Sequence, residues 1–286
     1  MRLANHAGRA VLVASGTPDK GADVATASGG RFGPDLPEIY EVWDEFVAWA
    51  ATADPVADVS LDRSLLGAPS PRPSQVVAIG LNYAEHAAET GFEAPQELPP
   101  VFTKFASSIT GPCGEVGLPA GGHTDWEVEV VAVIGRAAFE VSEADAWEYV
   151  AGLTIGQDLS ERIGQFAGQV PQFGLAKSHP GFAPMGPWLI TPDELATAGL
   201  DRDDLALGCA IDGETVQDGR TSKLIFPVAR IIARLSEVIT LRPGDVIFTG
   251  TPDGVGLGRQ PQRFLRPGET LRTWVEGLGE MAHTFR

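Results

Sequence analysis

Apolar and polar positions alternate in short runs along most of the chain, and glycine and proline punctuate the runs. The pattern predicts strands at VVAIG (76–80), VFTKF (101–105), WEVEVVAVIG (126–135) and GLTIGQD (152–158). Others are expected at GPWLI (186–190), LALGCAI (205–211) and VIFTG (246–250). Asp212-Gly213, between LGCAI and ETVQ, predicts a two-residue hairpin turn, because both central positions of such a turn favour positive φ. Helical spacing is rarer. It occurs at 38–51 (EIYEVWDEFVAWAA), at about 142–150 behind the capping residues Ser142 to Asp145, and at about 227–238 with Pro227 in the first turn.

The first 70 residues read as a small α/β unit, with a strand at 9–15 and the helix at 38–51. The Pro- and Ser-rich stretch GAPSPRPS (67–74) reads as a linker, and residues 71–286 read as a mostly-β (α+β) domain. Composition changes this picture little. At 286 residues with 43% hydrophobic and 21% charged positions, the chain can bury a core without covalent staples. Its two cysteines, Cys113 and Cys209, are far apart and in no metal-like spacing, so a reducing cytoplasm is expected rather than a disulfide framework. No signal-peptide h-region and no membrane-length apolar run is visible. The formal net charge of −17 argues against nucleic acid and anionic membranes as partners. A small anionic substrate stays compatible with it, since a local cation in a cleft overrides the global field.

The segment 125–135 (DWEVEVVAVIG) is the most informative. Side chains alternate faces along a strand, so Glu127 and Glu129 share a face with Val131 and Val133. Trp126, Val128, Val130, Ala132 and Ile134 make the other face, which indicates a strand buried on both sides. Two carboxylates at the end of such a strand either face water at a sheet edge or hold a hard divalent cation. Asp158 closes the next apolar run and is a candidate third oxygen ligand or a turn residue; its spacing alone does not bring it to the glutamates. His86 and Glu89, at i and i+3 in GLNYAEHAAE, fall on one face of a helical turn, where a carboxylate fixes the imidazole tautomer of a general base. Alone, such a pair is also what a solvated surface offers.

WEVEVVAVIG, then GQDLSER, LAKSHPGFAPMGPWLIT and VIFTGTPDGVGLG resemble, in order and spacing over about residues 76–286, the fumarylacetoacetate hydrolase family. The branch with the nearest likeness contains acylpyruvate hydrolases and 2-hydroxyhepta-2,4-diene-1,7-dioate isomerases. The resemblance implies a mixed β-sandwich roll, usually a homodimer, with Glu127, Glu129 and Asp158 as ligands of one Mg²⁺ or Mn²⁺. It implies that His86 is the base and Glu89 its orienting partner on a lid segment expected to be mobile. Lys177 would stabilise the developing enolate, while Gln165, Thr251 and the neighbouring Gly250 N–H would reach the oxo-acid substrate. Lys104 is a weaker candidate. The chain departs from the family's N-D-x-S-A-R at Gln157 and Glu161, and from K-S-F-D at His179 and Pro180, where His179 is read as a packing residue. The implied activity is metal-dependent cleavage of a carbon–carbon bond in acylpyruvate-like acids. Isomerisation or decarboxylation at the same metal is the alternative, and a non-catalytic metabolite-binding relative the remote one. GVGLG (254–258) lacks the spacing and context of a nucleotide loop and reads as a turn.

Overall fold

The computed structural model describes residues 1–89, 91, 93, 95–97 and 99–286. Two mixed sheets dominate, as the strand pattern requires. The larger runs, edge to edge, through Val59–Ser60, Lys20–Asp23, Arg9–Val13, Arg2–His6, Ala183–Ile190, Val150–Gln157, Val128–Ile134, Val246–Phe248, Val76–Ile79 and Val101–Thr103. The smaller runs Glu214–Arg220, Ala206–Ile211, Thr270–Val275, Gly279–Phe285 and Cys113–Val116. Most pairs are antiparallel, but Val246–Phe248 lies parallel to Val76–Ile79, and Gly279–Phe285 parallel to Cys113–Val116.

The strand Val128–Ile134 is buried throughout, and its two faces feed two cores. Val128, Val130, Ala132 and Ile134 pack against Leu207, Cys209, Leu271 and Met281 of the smaller sheet. Val131 and Val133 face the opposite way, among Leu36, Tyr40, Phe46 and Phe248. The near-continuous Val/Ile run is what a strand covered on both sides demands. The hairpin at Asp212-Gly213 forms with φ of 49° and 90°.

Three local expectations change. The helical stretch 38–51 is two helices, Leu36–Glu41 and Trp43–Ala50, broken at Val42 (φ −120°, ψ 33°), so that Tyr40 and Trp43 stack while Phe46 reaches the core. The segment after Ser142 makes the expected cap contacts between Ser142 and Asp145 but continues only as a 3-10 turn at Ala146–Tyr149. The stretch 67–74 is no loose tether. Ala68 and Ser70 are buried, and their neighbours bond to both sides: Asn5 Nδ2 donates to Ala68 O, Tyr40 Oη to Pro69 O, and Ser70 Oγ to Gly244 O. The N-terminal strand Arg2–His6 also pairs with Ala183–Ile190, so residues 2–13 extend the larger sheet.

That continuity has a measurable consequence. Phe46 is fully buried, with ring contacts at 5.5 Å to Phe32, 5.6 Å to Trp43 and 5.8 Å to Trp49. Phe46→Ala is expected to cost about 3–5 kcal/mol. Urea denaturation of the variant should show one transition at lower midpoint; a loss under about 1 kcal/mol would mean that this aromatic cluster is not part of the cooperative core.

Candidate active site

Register, rather than sequence spacing, assembles the acidic cluster. Val150–Gln157 pairs antiparallel with Val128–Ile134, setting Gln157 opposite Val128 and Gly156 opposite Glu129. One residue beyond the ladder, Asp158 N donates to Glu127 O (2.9 Å), so these two are cross-strand partners. Glu127 and Glu129 share a face by alternation, and pairing puts Asp158 beside them. Each of the three buried residues offers a carboxylate oxygen, all within 4.8 Å of one another. Where the ladder stops, side chains replace backbone partners: Glu127 N donates to Gln157 Oε1 and Val128 N to Gln217 Oε1. Gly156 leaves room opposite Glu129, where a Cβ would lie 2.5 Å from Val131 Cγ2 and 2.6 Å from Phe248.

Three buried cations surround the cluster. Lys177 Nζ donates to Glu127 Oε2 (2.8 Å) and Asp158 Oδ2 (2.6 Å), Lys104 Nζ binds Asp158 Oδ1, and Arg162 Nη2 reaches Glu127 Oε1 (2.7 Å) and Asp125 Oδ2 (2.8 Å). Burial pushes the Glu127 carboxyl up, but the Lys177 and Arg162 charges more than reverse this and hold it well below the usual range. Burial opposes the charge on Lys177 too, yet Asp158 and Glu127 leave its pKa raised; for Lys104, burial wins and lowers it. Glu129 differs from the other two. It is 1% exposed and accepts from Gly250 N (2.7 Å). Burial first, then the charges of Asp158 and Glu127, push its carboxyl well above the ordinary range.

A buried carboxylate beside two others, with no cation contact among the described residues, is the arrangement a hard divalent ion would complete. Counting Asp125, four carboxylates face three cations, and the oxygen-only donor set suits Mg²⁺ or Mn²⁺ rather than zinc. This is also the one such group among the described residues; the histidines and cysteines form none.

A cavity of about 310 Å³ is lined by Glu127, Glu129, Arg162, Gln165, Lys177, Thr251 and His86. His86 is buried on the helix Ala84–Glu89, its Nδ1 2.9 Å from Glu89 Oε1, as the i, i+3 spacing predicts. Glu89 Oε2 accepts from Gly254 N (2.9 Å), which ties the pair to the turn beneath it. Leu81, at the base of this helix and on the cavity wall, holds φ at 53°, a left-handed conformation that L-residues other than Asn and Asp seldom adopt.

Gln165 is buried and accepts from Arg162 Nη1 (2.9 Å); Thr251 Oγ1 accepts from Gln217 Nε2 (2.8 Å). The Gly250 N–H donates to Glu129 Oε2 (2.7 Å) and so positions a carboxylate that lines the cavity. His179 sits outside the cavity, 4.9 Å from the Phe182 ring, as a packing residue. Glu161 caps the helix Arg162–Gln165 by accepting from Ile163 N and Gly164 N.

Sequence reasoning missed Arg162 and Asp125 and ranked Lys104 too low. Arg162 lay within the quoted GQDLSER, but only the fold shows that its guanidinium bridges two acids 35 and 37 residues away. Asp125 accepts from Gly256 N (2.6 Å) and Leu257 N (2.9 Å), so the GVGLG turn clamps an acidic side chain rather than a nucleotide. Among the described residues no helix is long and apolar enough to cross a membrane.

A family model described as the fumarylacetoacetate (FAA) hydrolase C-terminal domain matches residues 75–286. Over the whole chain, the fold is similar to that of a protein provisionally named HpcE from Mycobacterium smegmatis, 56% identical, TM-score 0.92, with 99% of that chain covered. The 5-carboxymethyl-2-hydroxymuconate delta-isomerase of Mycobacterium smegmatis is 34% identical with TM-score 0.74, covering 100% of this chain and 98% of that one. The fumarylpyruvate hydrolase of Pseudomonas aeruginosa, solved in complex with Mn²⁺ and pyruvate, is 32% identical with TM-score 0.66, covering 74% of this chain and 89% of that one.

Proposed function

Because the chain belongs to the fumarylacetoacetate hydrolase family, we propose that it is a metal-dependent hydrolase cleaving a carbon–carbon bond in acylpyruvate-like (2,4-dioxo) acids. Glu127, Glu129 and Asp158 would hold one Mg²⁺ or Mn²⁺, whose chemistry there is Lewis-acid polarisation of the carboxylate and 2-oxo oxygens of the acid. His86, with Nδ1 fixed by Glu89, presents its other ring nitrogen to a water and removes a proton. The hydroxide adds to the 4-carbonyl carbon, and the C3–C4 bond breaks, leaving its electron pair on C3 of a pyruvate enolate. The proton held by His86 returns to C3, giving pyruvate and a carboxylic acid. Lys177 and Arg162 keep positive charge beside the site as the enolate forms, in surroundings that exclude water and strengthen the attraction.

The observation that carries hydrolysis is that His86, bonded to Glu89, lines the same cavity as Glu127 and Glu129, since an activated water is what cleavage requires. The test is pyruvate release from a panel of acylpyruvates with Mg²⁺ or Mn²⁺. Release that stops on adding EDTA and resumes with the metal is expected; equal release in EDTA, or none from any acylpyruvate, would sink the proposal.

Enol–keto isomerisation has its own support, because the isomerase relative aligns along all of this chain. It needs the same carboxylates and a proton carried by His86 from oxygen to carbon, but no water. Conversion of the enol to the keto acid with no pyruvate formed would identify it, and carbon dioxide release from oxaloacetate would identify decarboxylation instead.

A further inference from the structure

The floor of the cavity is ionic, but its upper walls are not. Phe102, Phe166, Val170, Pro171, Phe173 and Leu257 line them. Phe102 and Phe173 stack at 5.2 Å and 26°, and the Lys177 ammonium lies 5.1 Å from the Phe102 centroid, marking where floor meets wall.

The absence of a cation from these walls is a property of whole segments of the sequence. Residues 163–176 (IGQFAGQVPQFGLA), which carry Phe166 to Phe173, contain no charged residue. Residues 82–103, which carry the helix Ala84–Glu89 and Phe102, contain no lysine or arginine. The cations that do line the cavity are committed: Lys177 to Glu127 and Asp158, and Arg162 to Asp125, Glu127 and Gln165. His86 is paired with Glu89. Arg259, next along the chain from the Leu257 turn, spends its guanidinium on Val216 O and Gly254 O and does not line the cavity.

Resting on the acylpyruvate assignment, we propose that the substrate's far end is uncharged and apolar: a 2,4-dioxo monocarboxylate with an alkyl or aryl tail, not a dicarboxylate. One carboxylate is received on the floor. A second one, carried up the wall, would leave water for aromatic and aliphatic surface without meeting a cation. An apolar tail gains from the same surface. Val170 (66% exposed) and Phe166 (41% exposed) stand at the mouth, half uncovered until a tail lies against them.

The test compares 2-oxohexanoate with 2-oxoadipate, equal in length and differing by a methyl against a carboxylate, in calorimetric binding to the Mn²⁺-loaded protein. The methyl-ended acid is expected to bind about tenfold or more tightly. Val170→Lys, at an exposed position that tolerates the change, should narrow this ratio by about threefold or more by bringing a cation to the mouth. Equal or tighter binding of 2-oxoadipate by the native chain, or binding of neither acid, would overturn the proposal. A preference for 2-oxohexanoate without pyruvate release from any acylpyruvate would sink the hydrolase assignment and leave the tail assignment standing. Pyruvate release without the preference would do the reverse.

Discussion

Replacing Glu129 by glutamine is expected to lower metal-dependent turnover by about a thousandfold or more while making the metal-free protein more stable. The first effect follows from removing one of three converging carboxylates. The second follows from the company Glu129 keeps. It is buried beside Asp158 and Glu127, and the bond from Gly250 N is poor compensation for an ionised group. Glutamine keeps the acceptor for Gly250 and sheds the charge, a gain of roughly 1–3 kcal/mol. The sign with pH is fixed. A carboxyl whose folded pKa is raised loses stability as pH climbs past its unfolded value, so the gain appears at neutral pH and fades by about pH 4. Asp158→Asn should differ in sign: it also ends turnover, but it strips Lys104 and Lys177 of a shared partner and destabilises by about 3–5 kcal/mol. Parallel melts in EDTA separate the two variants. If Glu129→Gln melts lower than the native chain in EDTA at neutral pH, the carboxylate is compensated in some way that these contacts do not include.

His86→Gln is expected to cost about 10²–10⁴ in kcat with Mn²⁺ affinity unchanged, the range for loss of a positioned base. Glu89→Gln should cost less, about tenfold to a hundredfold, because an amide can still hold the ring while losing the charge that favours the imidazolium. Glu89 also receives Gly254 N, so its truncation to alanine would disturb the turn as well; the glutamine variant is the cleaner comparison. Turnover by His86→Gln within threefold or so of native, at equal metal loading, would remove His86 from the chemistry.

Much of this site is written in short-range pattern. Alternation alone places Glu127 and Glu129 on one face and the Val/Ile run on two, and the spacing of His86 and Glu89 becomes a 2.9 Å contact on one helical turn. Asp158 is different in kind. No local sequence pattern links it to the glutamates; the antiparallel register does, and register is a tertiary quantity. Arg162 stayed hidden for the same reason, and Lys104 because a lysine after a short strand is usually solvated, whereas here burial and Asp158 define it. The Gly250 N–H bond to Glu129 is likewise set by the fold and not by local pattern. The helical errors share a cause. Periodicity continued through Val42 and past Tyr149, but packing of Tyr40, Trp43 and Phe46 favoured a break, and Val150 was needed to start a strand. Proline and serine at 67–74 read as a linker by composition, while Asn5, Tyr40 and Gly244 hold the segment by hydrogen bonds that composition does not reveal.

The central claim is that Glu127, Glu129 and Asp158 enclose one divalent ion at the floor of the cavity. Anomalous diffraction from a crystal soaked in Mn²⁺ and oxalate addresses it most directly. A single peak within coordination distance of one oxygen from each of the three side chains, with oxalate extending toward Lys177 and Thr251, is the expected result. A peak elsewhere, or a soaked crystal in which Lys104 and Lys177 still neutralise the acids and no peak lies among them, would contradict it.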